Sequence, residues 1–194
     1  YLVSSLPDIA WTLNLRGSDI SFNPLFLSYL LIGSKSCYLY IDRAQLSTGL
    51  THLLEDEGFI IKPYYEYEHH VLTLPPGRIN LAPATSSIGS QNLFDNSWEK
   101  VYEKDITVDK RAVKNEIEIS CTRNAMKKDG VALVRFLIWL EDNWSKENLT
   151  EVSAADKLAD FRSLQDGFVG LSFATIAGFN DHGAIIHYSA SVES

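Results

Sequence analysis

The sequence predicts an α/β domain with a mixed sheet over residues 1–108, followed over residues 109–194 by the first helices and a β-hairpin of a second, α+β domain. Three observations carry this. Up to about Asp109, short segments rich in Tyr, Ile, Leu and Val alternate with short helical patterns and turn signals, as an α/β sheet domain reads. Beyond it the apolar period lengthens into helices. At the end, two β-rich segments flank the turn residues "NDHG", residues 180–183.

The elements follow in order. "YLVSS" opens as a strand, and in "LPDIAWTLNL" Pro7 suits a first helical turn, where its missing N–H is not needed. "FLSYLLI" and "SCYLYID" are apolar strands whose connection, Gly33 to Lys35, fits a hairpin. "AQLSTGLTHLLEDEG" sets Leu46, Leu50, Leu53 and Leu54 on one helical face and stops at Gly58 as C-cap. "FIIKPYY" is extended, and the turn-rich "LPPGRINLAPATSSIGS" carries one short strand over residues 78–81. Asn115 and Glu118 form a capping-box pattern at the start of a long helix through Trp144. After Gly130 this helix is apolar nearly all round, so it should be covered on most sides. Thr150 caps a second helix, which turns Val152, Ala155, Leu158 and Ala159 inward and stops at Gly167.

Composition narrows the partners. A length of 194 residues has room for one domain or two modest ones, and 45% apolar with 22% charged residues is an ordinary globular balance. A net charge of −8 argues against nucleic acid, whose phosphates call for clustered Lys and Arg. The densest apolar run, "VALVRFLIWL", is broken by Arg135 and falls short of the roughly 20 residues of a bilayer span, so no membrane partner is expected. No signal-peptide pattern follows Tyr1, and Cys37 and Cys121 read as reduced thiols, which together predict a cytoplasmic protein. The glycosylation sequons at Asn143 and Asn148 then read as coincidence.

Few stretches carry chemistry. "YYEYEHH" gathers Glu66, Glu68, His69 and His70, but adjacent histidines do not both face one ion from a strand and no second ligand pair stands at a usual spacing. It reads as a solvated face. "GLSFA" lacks the second glycine of a nucleophile elbow, and no glycine-rich phosphate loop occurs. In "NLRGSDISFNP" the structural reading is that Gly17 takes a positive φ, Asp19 accepts from nearby backbone N–H groups, and Arg16 pairs locally or across a domain seam. His187 is the candidate catalytic residue. It stands in the predicted strand over residues 184–188, where an adjoining turn holds an imidazole at a cleft edge to donate to or accept from a substrate.

These residues resemble a known family. "DIAWTLNLRGSDISFNPLFLSY", from Asp8 to Tyr29, is similar to the middle domain of the cytosolic aminopeptidase P (Xaa-Pro aminopeptidase) family. "AVKNEIE", "DGVALVRFLIWLE", "TEVSAADKLADFR" and "LSFATIAGFNDHGAIIHY" agree with it in order, so the resemblance spans nearly the whole chain. It implies that residues 1–108 are a creatinase/prolidase N-terminal-like α/β domain, truncated at its N-terminus. Residues 109–194 are then the N-terminal part of a pita-bread catalytic domain, truncated at its C-terminus. The implied parent is a metallo-aminopeptidase that removes the first residue of peptides with proline at position two. Its nucleophile is a hydroxide between two divalent ions, usually manganese, which also polarise the carbonyl of the tertiary amide.

The family's ligands, two Asp, one His and two Glu, would all come after Ser194. No metal is therefore expected on this chain, which alone should be inactive. His187 matches the family histidine that lines the cleft near the proline side and contacts substrate rather than metal. Where relatives often have Asn-Gly before this strand, the chain has His182-Gly183, and Gly183 is expected to keep the backbone permissive. A homodimeric parent is compatible with the resemblance. The alternative is a non-catalytic pita-bread relative that binds peptides or proteins.

Overall fold

The computed structural model describes residues 1–145 and 149–192, and the chain folds as two units, Tyr1–Val113 and Lys114–Ser194. The sequon residue Asn148 lies outside the described residues.

In the first unit, β1 (Leu2–Val3), α1 (Leu6–Leu13), β2 (Ser28–Ile32), β3 (Cys37–Ile41), α2 (Thr48–Asp56) and β4 (Phe59–Pro63) build the main sheet, in strand order β1-β2-β3-β4. β2 runs antiparallel to β1 and β3, while β3 and β4 are parallel, so the sheet is mixed as the sequence predicts. The β2–β3 hairpin sets Leu30 opposite Leu39 and closes with the Gly33 N–H donating to Ser36 O at 2.8 Å. Parallel neighbours need a crossover, and α2 supplies it.

Alternate residues on a strand point to opposite faces, and here both faces are covered. Leu30, Leu39 and Ile41 pack with Val3, Ile9 and Leu54 on one side, while Leu31 and Tyr40 pack with Val71, Leu81 and Phe94 on the other. The strands therefore read as continuous apolar runs instead of alternating ones. Burial of each large aliphatic or aromatic side chain in these clusters stabilises the fold by about 1.5–3 kcal/mol. On α2 the stripe is narrower than its sequence suggests. Leu54 is buried and Leu46 and Leu50 pack against the core, but Leu53 is 54% exposed, because the helix has only one side against the sheet.

The first unit continues with α3 (Tyr67–Thr73), β5 (Arg78–Leu81), α4 (Ile88–Asn92), β6 (Glu99–Tyr102) and α5 (Ile106–Ala112). β5 and β6 form a small parallel sheet with Ile79 opposite Lys100. Sequence patterns indicate β5 but not α3, α4 or β6, which repeat their period at most about twice and so leave little signal. Only Tyr67 and Val71, one helical turn apart, mark the buried side of α3. Asp105 caps α5 by accepting the Thr107 N–H at 3.1 Å, and α5 runs across residue 109.

The "YYEYEHH" stretch is not wholly a solvated face, since Tyr67 is buried in the second core cluster and the half-buried His70 lies against Tyr40. The fully buried Tyr40 donates its hydroxyl proton to His70 Nδ1 at 2.6 Å, and burial, with Lys62 adding, holds His70 below its ordinary pKa. A histidine free in the unfolded chain takes up a proton near pH 6.5, whereas the folded one does so only at lower pH. In that window the unfolded state binds more protons, so the contribution of His70 is complete above pH 6.5 and is lost as the pH falls through its folded value. Urea unfolding of the first unit is expected to show a midpoint loss between pH 7 and pH 5 that shrinks in His70→Phe. An identical loss in the variant would contradict this.

The "NLRGSDISFNP" loop is held by its own polar groups. Arg16 Nη1 donates to the carbonyls of Ala10 at 3.0 Å and Leu15 at 2.8 Å. Asp19 accepts the Leu27 N–H at 2.7 Å and both of its oxygens accept from Gln45, contacts that hold its carboxyl below the usual range. Gly17 departs from expectation, since the positive φ values fall at Asn14 (49°) and Phe22 (64°). Space is what requires Gly17. A Cβ there would lie 2.6 Å from Phe26 Cβ and 3.1 Å from the Leu25 carbonyl oxygen.

The second unit holds α6 (Glu116–Asn143) and α7 (Glu151–Ser163). Both start at reciprocal caps. Asn115 Oδ1 accepts the Glu118 N–H at 2.9 Å while Glu118 accepts the Asn115 N–H at 2.8 Å. Thr150 and Ser153 exchange the same pair at 3.1 and 2.9 Å. Arg162 on α7 clips to Asp129 on α6 at 2.6 Å.

Two expectations are corrected in this unit. The apolar half of α6 is not covered on most sides, because only Ala132 is buried while Val134 and Ile138 are each 56% exposed. One shorter helix covers one stripe of its neighbour and leaves the rest. The predicted hairpin is also absent, since no strand follows β6 among the described residues. Ile185 and Ile186 lie exposed with no layer over a strand face, and His187 adopts φ +56°, which breaks an extended run.

Candidate functional site

The segment after α7 carries the candidate residue, and two glycines shape it. Gly167 turns the chain at φ +78°, and residues 165–173 then border a cleft of about 510 Å³ against α6. Its charged groups are already engaged with one another. Arg162 binds Asp129, and Lys128 Nζ donates to the Asp166 carbonyl at 2.5 Å. Further on, a Cβ at Gly178 would meet Gly183 Cα and N at 3.0 Å, so glycine there lets residues 178–183 close on themselves without pushing Gly183 aside. Asn180 opens the 3-10 turn Asn180–Ala184 with φ +52°, and neither His182 nor Gly183 uses a positive φ.

This loop is tied to the start of α7. The Thr150 cap sets Glu151 at the first helical position, with its side chain only 9% exposed. Glu151 Oε1 accepts the Phe179 N–H at 2.5 Å and lies 3.0 Å from His182 Nδ1, while Oε2 accepts from the Tyr188 hydroxyl. That hydroxyl stands 3.0 Å from His182 Nδ1, and the two rings are tilted by 32° at 4.8 Å between centroids. With the tyrosine donating to the carboxylate, the imidazole tautomer protonated on Nδ1 satisfies both oxygens. Tyr188 is the main cause that holds the Glu151 carboxyl below its ordinary range against some desolvation, with Phe179 and His182 adding.

His187, the residue singled out by sequence, is exposed on irregular chain beside Tyr188. Sequence reading missed Glu151 and Tyr188. An acid at the first position of a helix reads simply as a partner of the helix dipole, and nothing local links it to rings 31 and 37 positions away. His182 stood out only as a departure from Asn-Gly.

Other candidates do not assemble into a site. Among the described residues no three His, Cys, Asp or Glu side chains are grouped to hold a metal ion, and His70 serves Tyr40. Cys37 and Cys121 are unbonded, and among the described residues no helix is long and apolar enough to cross a membrane.

A mixed-sheet α/β unit followed by a long helix, a second helix and a loop bearing His187 is an arrangement with known counterparts. The chain belongs to the Creatinase/Prolidase N-terminal domain family, whose model matches residues 1–118, and residues 120–194 match the model of Metallopeptidase family M24. It is 39% identical over 204 residues to the probable Xaa-Pro aminopeptidase P of Sordaria macrospora, a match covering 97% of this chain and 33% of that protein. It is 37% identical over 199 residues to the Xaa-Pro aminopeptidase ApepP of Drosophila melanogaster, covering 100% of this chain and 32% of that one. Among solved structures, the X-prolyl aminopeptidase of Caenorhabditis elegans, described as a cytosolic enzyme with a di-nuclear active site, superposes with a TM-score of 0.89 at 33% identity. That match covers 96% of this chain and 32% of the other. The chain spans about a third of the length of the curated relatives it matches.

Proposed function

We propose that this chain is part of a longer Xaa-Pro aminopeptidase that hydrolyses the first residue from peptides with proline at position two. The observation that supports this best is the match with the Caenorhabditis elegans X-prolyl aminopeptidase over 96% of the chain at 33% identity. Residues 1–108 are read as its creatinase N-terminal-like domain and residues 109–194 as the start of its pita-bread catalytic domain. Two divalent ions, with manganese the expected metal, supply the hydroxide and polarise the scissile carbonyl when bound, and their ligands come from outside this chain.

The contribution of this chain to catalysis is His187, an exposed imidazole beside the tethered loop that reaches substrate on the proline side. A cytoplasmic location goes with this reading. The non-catalytic binding module gains nothing from relatives that are themselves named aminopeptidases.

The reading is tested with the full-length protein, stripped by chelator and assayed on an X-Pro-X tripeptide and its X-Ala-X counterpart. Release of the first residue from the proline peptide alone, only after manganese is restored, is the expected result, with no release by the 194-residue chain. Equal cleavage of both peptides, or none of either, would overturn it.

A further inference from the structure

We infer that Glu151 is a positioning residue that sets the place of His187, by tying the start of α7 to both ends of the loop that leads to it. The role given to His187 rests on the aminopeptidase reading, whereas the tether itself does not. A surface acid at the head of a helix ordinarily faces water and the helix N-terminus. Glu151 instead spends both oxygens on the loop, receiving the backbone N–H of Phe179 at its entry, the His182 ring in the middle, and the Tyr188 hydroxyl one residue past His187.

The segment from Phe179 to Tyr188 has no strand ladder, its apolar residues Ile185 and Ile186 are exposed, and its regular structure is one 3-10 turn. Loops so placed are drawn from the least stable part of a fold unless something anchors them. The backbone gives a reason for an anchor next to His187. A φ of +56° at a residue with a Cβ is an uncommon conformation that persists where its surroundings enforce it, and the Tyr188 side chain is the neighbouring group fixed from outside the loop. Gly178, closed against Gly183, lets the chain return so that both ends reach one carboxylate.

The chemistry also separates the acid from its close substitutes. Glutamine keeps one acceptor oxygen, for Phe179 and His182, but its NH₂ meets the Tyr188 hydroxyl with a donor where a carboxylate accepted, so two ties survive and one reverses. Alanine removes all three ties. Aspartate is one methylene short of the distances to Phe179 and His182.

The experiment has two arms. In the first, amide hydrogen exchange and histidine side-chain NMR are recorded on the 194-residue chain as wild type, Glu151→Ala, Glu151→Gln and Ser153→Ala. Glu151→Ala is expected to speed exchange at the Phe179 amide by at least about ten-fold and to shift the His187 ring signals toward those of an unstructured peptide, with Glu151→Gln intermediate. Ser153→Ala weakens the cap of α7 without touching the carboxylate and is expected to leave the His187 signals in place. Unchanged Phe179 exchange in Glu151→Ala, or equal loss in Ser153→Ala, would overturn the inference and show a merely helical role.

In the second arm the same variants are made in the full-length protein. Glu151→Ala is expected to lower kcat on an X-Pro peptide about ten-fold with KM and bound metal little changed, and Glu151→Gln to recover part of it. A change confined to KM, or a loss of metal, counts against positioning. A wild-type protein that cleaves nothing would sink the aminopeptidase reading while leaving the tether to be decided by the first arm.

Discussion

Replacing His187 by alanine in the full-length protein is expected to lower kcat/KM on an X-Pro peptide by about 100-fold, the usual consequence of losing one placed proton donor or acceptor at a reacting centre. Bound metal should be unchanged, because this residue is read as a substrate contact and no metal-holding group forms around it among the described residues. The split between constants is informative. Loss in kcat alone means that the imidazole acts on the transition state, whereas loss shared with KM means that it also holds the ground state. The fold offers little resistance to the change, since His187 is exposed and packs into neither core cluster. Full activity in a His187→Ala protein of normal metal content would remove the residue from the site.

Replacing Arg111 by methionine is expected to destabilise the first unit by about 2 kcal/mol, below the range for a fully buried ion pair because the arginine side chain is 35% exposed while its partner is not. Asp8 sits in the first turn of α1 with 1% of its surface exposed, and the Arg111 guanidinium on α5 lies 3.2 Å from its Oδ1. Methionine keeps the stem and removes the charge, so the carboxylate is left in the interior. The positive end of α1 offsets only part of that loss, because a helix terminus is worth far less than a full charge. Urea unfolding followed through the NMR signals of Tyr40 measures the effect. Should Arg111→Met fail to fold, the double variant Asp8→Asn with Arg111→Met keeps the test alive, since a neutral amide needs no counter-charge. That variant should regain most of the loss, and a double variant as unstable as the single one would contradict the account.

Both predictions concern groups that the sequence treats unequally. His187 is visible because an imidazole interrupts an apolar run and a resemblance gives it a role. Arg111 is invisible as a partner of Asp8, because an ion pair between residues a hundred positions apart leaves no periodic trace. Glu151 falls between these cases, since its place after the Thr150 cap is legible but its use by Phe179, His182 and Tyr188 is not.

The sequence by itself determined the local chemistry. It set the caps at Asn115 and Thr150, the proline in the first turn of α1, and the apolar strands β2 and β3 with the hairpin between them. These follow from bonds and contacts within a few residues, where composition is enough. The tertiary structure decided what depends on a distant neighbour. It paired β5 with β6, kept Gly17 small against Phe26, left much of α6 bare beside a single shorter helix, and denied residues 184–188 a strand. A run of apolar residues becomes a strand only where a ladder and a covering layer exist. Here a carboxylate on α7 holds the ends of the loop instead.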